Sequence, residues 1–83
     1  MSRNALKELE DWLTDRNINP SASYHDRRAQ LWFDLPNGFP KYSVELVEIV
    51  TKGREYRDQN YYGHTETLES AILAALDKAR EGK

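Results

Sequence analysis

Between Arg28 and Leu35, the apolar side chains Ala29, Leu31, Phe33 and Leu35 alternate without a break with Arg28, Gln30, Trp32 and Asp34. Successive side chains of an extended chain point to opposite faces, so this pattern specifies a half-buried strand with one apolar face. Pro36-Asn37-Gly38-Phe39-Pro40 follows at once, and Asn-Gly supplies the positive φ values that a hairpin turn needs. A second strand is predicted from about Tyr42 to Thr51. Its pattern changes phase: Tyr42, Val44 and Leu46 share one face, whereas Val47 and Ile49 fall on the other. Either a bulge near Leu46-Val47 re-aims the strand, or both faces of its second half meet apolar surface. Lys52-Gly53 reads as the next tight turn, and Arg54 to about Tyr62 as a third, polar strand carrying Tyr56, Tyr61 and Tyr62.

The chain on either side has helical periodicity. From about Asn4 to Arg16, Leu6, Leu9 and Leu13 recur on one face, flanked by Ala5, Trp12 and Arg16, with Lys7, Glu8, Glu10, Asp11 and Asp15 on the rest. Asn19-Pro20 ends this helix, because the residue before proline avoids the α region. Ser21, Ala22 and Ser23 form a connector. After Gly63, which is expected to release the chain from the third strand, a second helix is predicted from about Glu66 to Arg80. Thr65 is its expected N-cap, Glu66 and Glu69 oppose the helix dipole, and Gly82 lies past its end. Leu68, Ala71, Ile72, Ala75, Leu76 and Ala79 give it a wide stripe whose alanines permit close approach to a sheet. The order is therefore α-β-β-β-α over residues 1–83, with no repeat or linker that would divide it. The expected fold is an α+β two-layer sandwich: an antiparallel meander with both helices on one face and the other face left to water or a partner. The expected core is Leu6, Leu9, Leu13, Leu31, Phe33, Val44, Leu46, Leu68, Ile72, Ala75 and Leu76.

Composition narrows the functions open to such a domain. Twelve Lys plus Arg against 14 Asp plus Glu give a net charge of -2, which does not suit a strongly basic nucleic-acid-binding domain. Apolar residues at 39% with 11% aromatic are too many for a disordered chain of this small net charge. The absence of cysteine removes disulfides, thiolate metal sites and a cysteine nucleophile. No apolar run approaches the roughly 18 residues of a spanning helix, and MSRNALKELEDW has no apolar core of a signal peptide, so a cytoplasmic location is expected. A chain of this length buries only about two-thirds of its unfolded surface, which leaves little core from which to carve an enclosed catalytic cavity.

The element order, with the run from YSVELVEIVTKGREY to ESAILAALDKA, resembles the double-stranded RNA-binding domain across nearly the whole chain. That family presents lysines at the start of its second helix, which grip phosphates. The matching stretch here, Gly63-His64-Thr65-Glu66-Thr67-Leu68-Glu69, carries two carboxylates instead, and each repels phosphate. Nucleic acid is accordingly not the expected partner. The amphipathic first helix, small meander and closing Thr67-Leu68-Glu69-Ser70-Ala71-Ile72-Leu73-Ala74-Ala75-Leu76 are similar to short phage and prophage accessory proteins. This second resemblance implies a cytoplasmic protein that binds a host protein and inhibits or redirects it, bacterial defence systems included.

Trp32 alternates away from Leu31 and Phe33, hence away from the helices, towards the side that Val47 and Ile49 share if no bulge intervenes. An outer patch of Trp32, Val47 and Ile49, framed by Arg28 and bordered by Gln30, Asp34, Ser43 and Glu45, is a candidate contact surface, as aromatic and arginine anchors dominate interface energy. The competing reading is a tryptophan that covers its own sheet under an arginine stem. Tyr56, Tyr61 and Tyr62 with Arg54 and Arg57 read as a protein-binding edge, as cross-strand packing, or as a base-stacking platform diluted by Glu55 and Asp58. His25-Asp26 before the first strand admits a general base, as in small RNase-like toxins of the same element order. Those have glycines before the histidine, where this chain has Ala22-Ser23-Tyr24. His25 and His64 with Asp26 or Glu66 lack any metal-ligand spacing. Glu8, Glu10, Asp11 and Asp15 are the solvated face of the first helix or, less simply, a phosphate-backbone mimic. The expected function is a non-enzymatic module that binds a host protein or a second copy of itself, with no cofactor, metal or catalytic residue. A nucleic-acid-binding domain stands second and an RNase-like toxin third.

Overall fold

The computed structural model describes residues 3–15, 22–33 and 40–81. Helix α1 spans Ala5–Thr14, strands β1, β2 and β3 span Tyr24–Phe33, Tyr42–Lys52 and Glu55–Thr65, and helix α2 spans Leu68–Glu81. The strands form one antiparallel sheet in the order β1-β2-β3, with both helices on one face. The predicted α+β sandwich is the observed architecture. Residue 16, the Asn19-Pro20 stop, Ser21, the hairpin residues 34–39 with Leu35, and Gly82 lie outside the described residues.

Local chemistry sets the element ends. Asn4 caps α1, its side-chain oxygen accepting from Lys7 N at 3.1 Å. The cap of α2 is Thr67 rather than Thr65: Thr67 Oγ1 accepts from Ser70 N at 3.3 Å, while Thr65 donates to the Thr67 carbonyl at 2.7 Å. Gly53, at φ 61, turns β2 into β3. Strand β1 begins four residues before the alternating run, at Tyr24, because β2 is long enough to pair with it down to Thr51.

Gly63 does not release the chain into a helix. It lies inside β3 opposite Val44, where a Cβ would sit 2.0 Å from the Ala71 carbonyl oxygen and 2.8 Å from Ala75 N. The absent side chain lets α2 rest directly on the sheet, and the predicted alanine stripe supplies the other half of that contact.

The register is continuous through both strand pairs, so no bulge explains the phase change in β2. The helix-side rows are Phe33-Tyr42-Thr65, Leu31-Val44-Gly63 and Ala29-Leu46-Tyr61, followed by the polar rows Arg27-Glu48-Gln59 and His25-Val50-Arg57. Val47 and Ile49 point to the open face because the second half of the helix side is given to charge.

The core is smaller and displaced towards β3 compared with expectation. Ala5, Trp12, Val44, Leu46, Ala71, Ile72, Ala75, Leu76 and Ala79 are buried, with Leu9, Leu13 and Leu68 packed beside them. Leu6, Leu31 and Phe33, expected inside, are 67%, 45% and 62% exposed. The reason is placement: α2 covers β2 and β3, whereas α1 packs mainly on α2 and only grazes β1.

Candidate functional site

Two surfaces combine chemistry-bearing side chains: a polar cluster under the helices and the helix-free face of the sheet.

In the cluster, Arg27 lies with its guanidinium 4.4 Å from the Trp12 ring centroid and donates to the Trp12 carbonyl at 3.0 Å and to Glu48 at 2.7 Å. Asp15 stands 3.9 Å from the same guanidinium. His25 Nε2 is 3.0 Å from the same Glu48 oxygen. Burial pushes the Glu48 carboxyl up, but the hydrogen bonds from His25 and Arg27 outweigh it and hold the carboxyl below its ordinary range. An ionised carboxylate only accepts, so Nε2 carries the proton, and the buried Nδ1 has no hydrogen-bond partner among the described residues. The Tyr61 hydroxyl donates to Gln59, and burial, then the Glu48 charge, raises its pKa. Both ring nitrogens of His25 are thus engaged or enclosed. The geometry favours a structural clamp between α1 and the sheet over a general base open to substrate.

The open face is built from the other parity. Its cross-strand rows are Tyr24-Thr51-Tyr56, Asp26-Ile49-Asp58, Arg28-Val47-Asn60, Gln30-Glu45-Tyr62 and Trp32-Ser43-His64. Trp32, Arg28, Val47, Ile49, Tyr56 and Tyr62, all singled out from the sequence, stand here. Tyr61 does not: odd parity turns it to the helix side, where it packs against the core. Trp32 is also separated from Val47 and Ile49. The Gln30-Glu45-Tyr62 row lies between, so Val47 sits about 13 Å and Ile49 about 20 Å from Trp32 along the strands rather than in one patch.

The face instead has aromatic groups at both ends. Tyr24 and Tyr56, 48% and 65% exposed, flank Thr51; Trp32 and Tyr62, each 39% exposed, stand at the far end. Glu45 fixes that end, accepting from the Tyr62 hydroxyl at 2.6 Å and from Asn60 at 2.7 Å. Tyr62 stacks on His64 with centroids 5.9 Å apart. At the middle, Arg28 donates to Asp26 at 2.6 Å, which keeps the Asp26 carboxyl below its usual range. Sequence reasoning missed Tyr24, Asn60 and His64 as members of this face. The signal for Tyr24 and His64 was parity counted from a first strand starting four residues earlier and a third strand three residues longer; for Asn60 it was its shared parity with Tyr56 and Tyr62.

Among the described residues, no group of three or more His, Asp or Glu side chains is placed to hold a metal ion, and no helix is long and apolar enough to cross a membrane. No family model, no curated protein and no solved structure matches the chain.

Proposed function

We propose that this chain is a non-enzymatic protein-binding module whose contact surface is the helix-free face of the sheet. The observation that carries the reading is the set of four half-exposed aromatic side chains, Tyr24, Trp32, Tyr56 and Tyr62, on a face that no element among the described residues covers. Exposed rings held in place by neighbours lose little freedom on binding, which is why aromatic anchors dominate interface energetics. Charge favours protein over nucleic acid as the partner. The cross-strand rows of the face set Asp26, Glu45 and Asp58 against Arg28, a balance that repels a phosphate backbone. The resemblance to phage and prophage accessory proteins supplies the partner class: a host protein that the module inhibits or redirects.

Affinity capture from bacterial lysate by the immobilised protein, compared with the double variant Tyr56→Ser/Tyr62→Ser, tests this. A captured protein should bind the variant at least ~10-fold more weakly, since one aromatic anchor commonly contributes about 2 kcal/mol. Equal capture by both proteins removes the open face from the interaction. A steeply salt-dependent shift of duplex RNA by the wild type would put the nucleic-acid reading in its place.

A further inference from the structure

The edge of the sheet at β1 is a separate surface. Its strand contains no Lys, Pro or bulge, three of the devices that keep an edge from pairing, and its charges, Asp26, Arg27 and Arg28, are confined to one half. Residues 29–33, Ala-Gln-Leu-Trp-Phe, carry no charge at all. The opposite edge, β3, is different: it lies under α2. Above β1, the gap left by α1 is an apolar groove of about 250 Å³ walled by Leu6, Leu9, Leu31, Leu68 and Ile72. A strand edge unpaired among the described residues, a strip of exposed Leu31 and Phe33, and a groove beside them meet at one line of the molecule.

We propose that a second copy of this chain pairs with that edge, β1 against β1, to make a two-fold symmetric six-stranded sheet with all four helices on one side. The sequence of β1 selects both the occupant and the register. A two-fold axis through the sheet pairs each residue with one of the same face. An axis at Asp26, Arg27 or Arg28 sets that charged side chain against its own copy, which is destabilising. An axis at Ala29, Gln30 or Leu31 removes every such pair, and of these only the Gln30 axis brings Trp32 to an arginine of the second copy. It sets Leu31 opposite Ala29 of the second copy and Trp32 opposite Arg28 of the second copy, each twice, the latter a cation–π arrangement. Leu31 of each copy then lies beside the other's groove, and Phe33 stands opposite Arg27 of the second copy. Phe33, Leu6, Leu31 and Trp32 together leave on the order of 400 Å² uncovered per copy. Pairing of residues 27–33 adds their edge backbone, which brings the interface towards the roughly 800 Å² per partner of a stable complex.

Sedimentation equilibrium over a concentration series up to ~1 mM tests the proposal. The wild type should reach twice the 9.7 kDa chain mass. Gln30 is exposed and at the axis, so Gln30→Lys and Gln30→Glu leave the protomer folded but set like charges face to face. Each variant alone should dimerise about tenfold or more weakly, and an equimolar mixture of the two should recover the dimer as a heterodimer. Phe33→Ser, at a 62% exposed position, should weaken the dimer without unfolding the chain. A wild type that stays monomeric across the series overturns the proposal, and so does a dimer indifferent to both Gln30 variants. Tyr56 and Tyr62 lie on the far strand, so the outcome is separable from that of the open-face test.

Discussion

At the residue scale, Gly53 in the β2–β3 turn and Gly63 within β3 show how one residue type meets opposite demands. Gly53 is needed for its backbone: at φ 61 a side chain is strained although nothing lies within 4 Å of its Cβ position. Gly63 is needed for its missing volume. Its ordinary strand conformation would suit any residue, yet its Cβ would enter the backbone of α2 at Ala71 and Ala75. Backbone cannot rotate aside as a side chain does, so the helix must lift. Gly63→Ala should therefore cost ~3 kcal/mol or more, at or above the upper end of overpacking effects. Gly53→Ala should cost ~1–2 kcal/mol, the left-handed penalty of an L-residue. Equilibrium urea denaturation of the two variants checks the order. Equal losses would mean that α2 does not rest on Gly63.

At the scale of elements, helix α1 is held as much by charge as by apolar contact. Glu8 accepts from Arg3 at 2.7 Å and from Arg80 of α2 at 2.8 Å, and Arg3 also reaches Asp77 at 2.9 Å. Hydrogen bonds from Arg3, then Arg80, lower the Glu8 carboxyl to about 2. These groups are exposed, and screening limits what they contribute. The Arg27–Glu48 pair at the other end of α1 is largely enclosed, with side-chain exposures of 7% and 20%. A carboxyl held below its unfolded value of 4.5 gives stability that is present above that pH and is lost as the pH falls towards the folded value. Glu48→Gln should thus lower stability at pH 7, by a margin that narrows as the pH drops below about 4.5. Unfolding free energies measured from pH 7 to pH 3 check this. A constant gap would show that the carboxylate's charge does not hold α1 to the sheet.

Over the whole molecule, the layers are offset: α2 covers the sheet from β3 to β2, and the strip above β1 is left partly open. Two apolar residues of similar predicted rank therefore differ in effect. Ile72 is 3% exposed and packed within the core, whereas Leu6 is 67% exposed at the groove. Ile72→Ala should cost ~2–5 kcal/mol, and Leu6→Ala should stay within ~0.5 kcal/mol when measured on dilute protein. Thermal or urea unfolding at micromolar concentration distinguishes them. A large loss at Leu6 would place α1 over β1, as a symmetric two-layer packing requires.

The sequence alone determined the element order, the meander and the parity of β1, because period-2 and period-3.6 apolar patterns are local and each points to one kind of backbone. It also determined that Trp32 faces away from the helices, since parity needs only an unbroken strand. What the tertiary structure decided depends on how elements are placed against one another. The charged half of β2 remained ambiguous because Glu48 finds its partners, His25 and Arg27, on another strand; only that pairing explains why Val47 and Ile49 turn outward with no bulge. Gly63 read as the end of the third strand because its constraint comes from Ala71 and Ala75, whose approach no local pattern records. Leu6, Leu31 and Phe33 read as core because periodicity shows which side of an element is apolar, while the lateral position of the covering helix decides whether that side is covered.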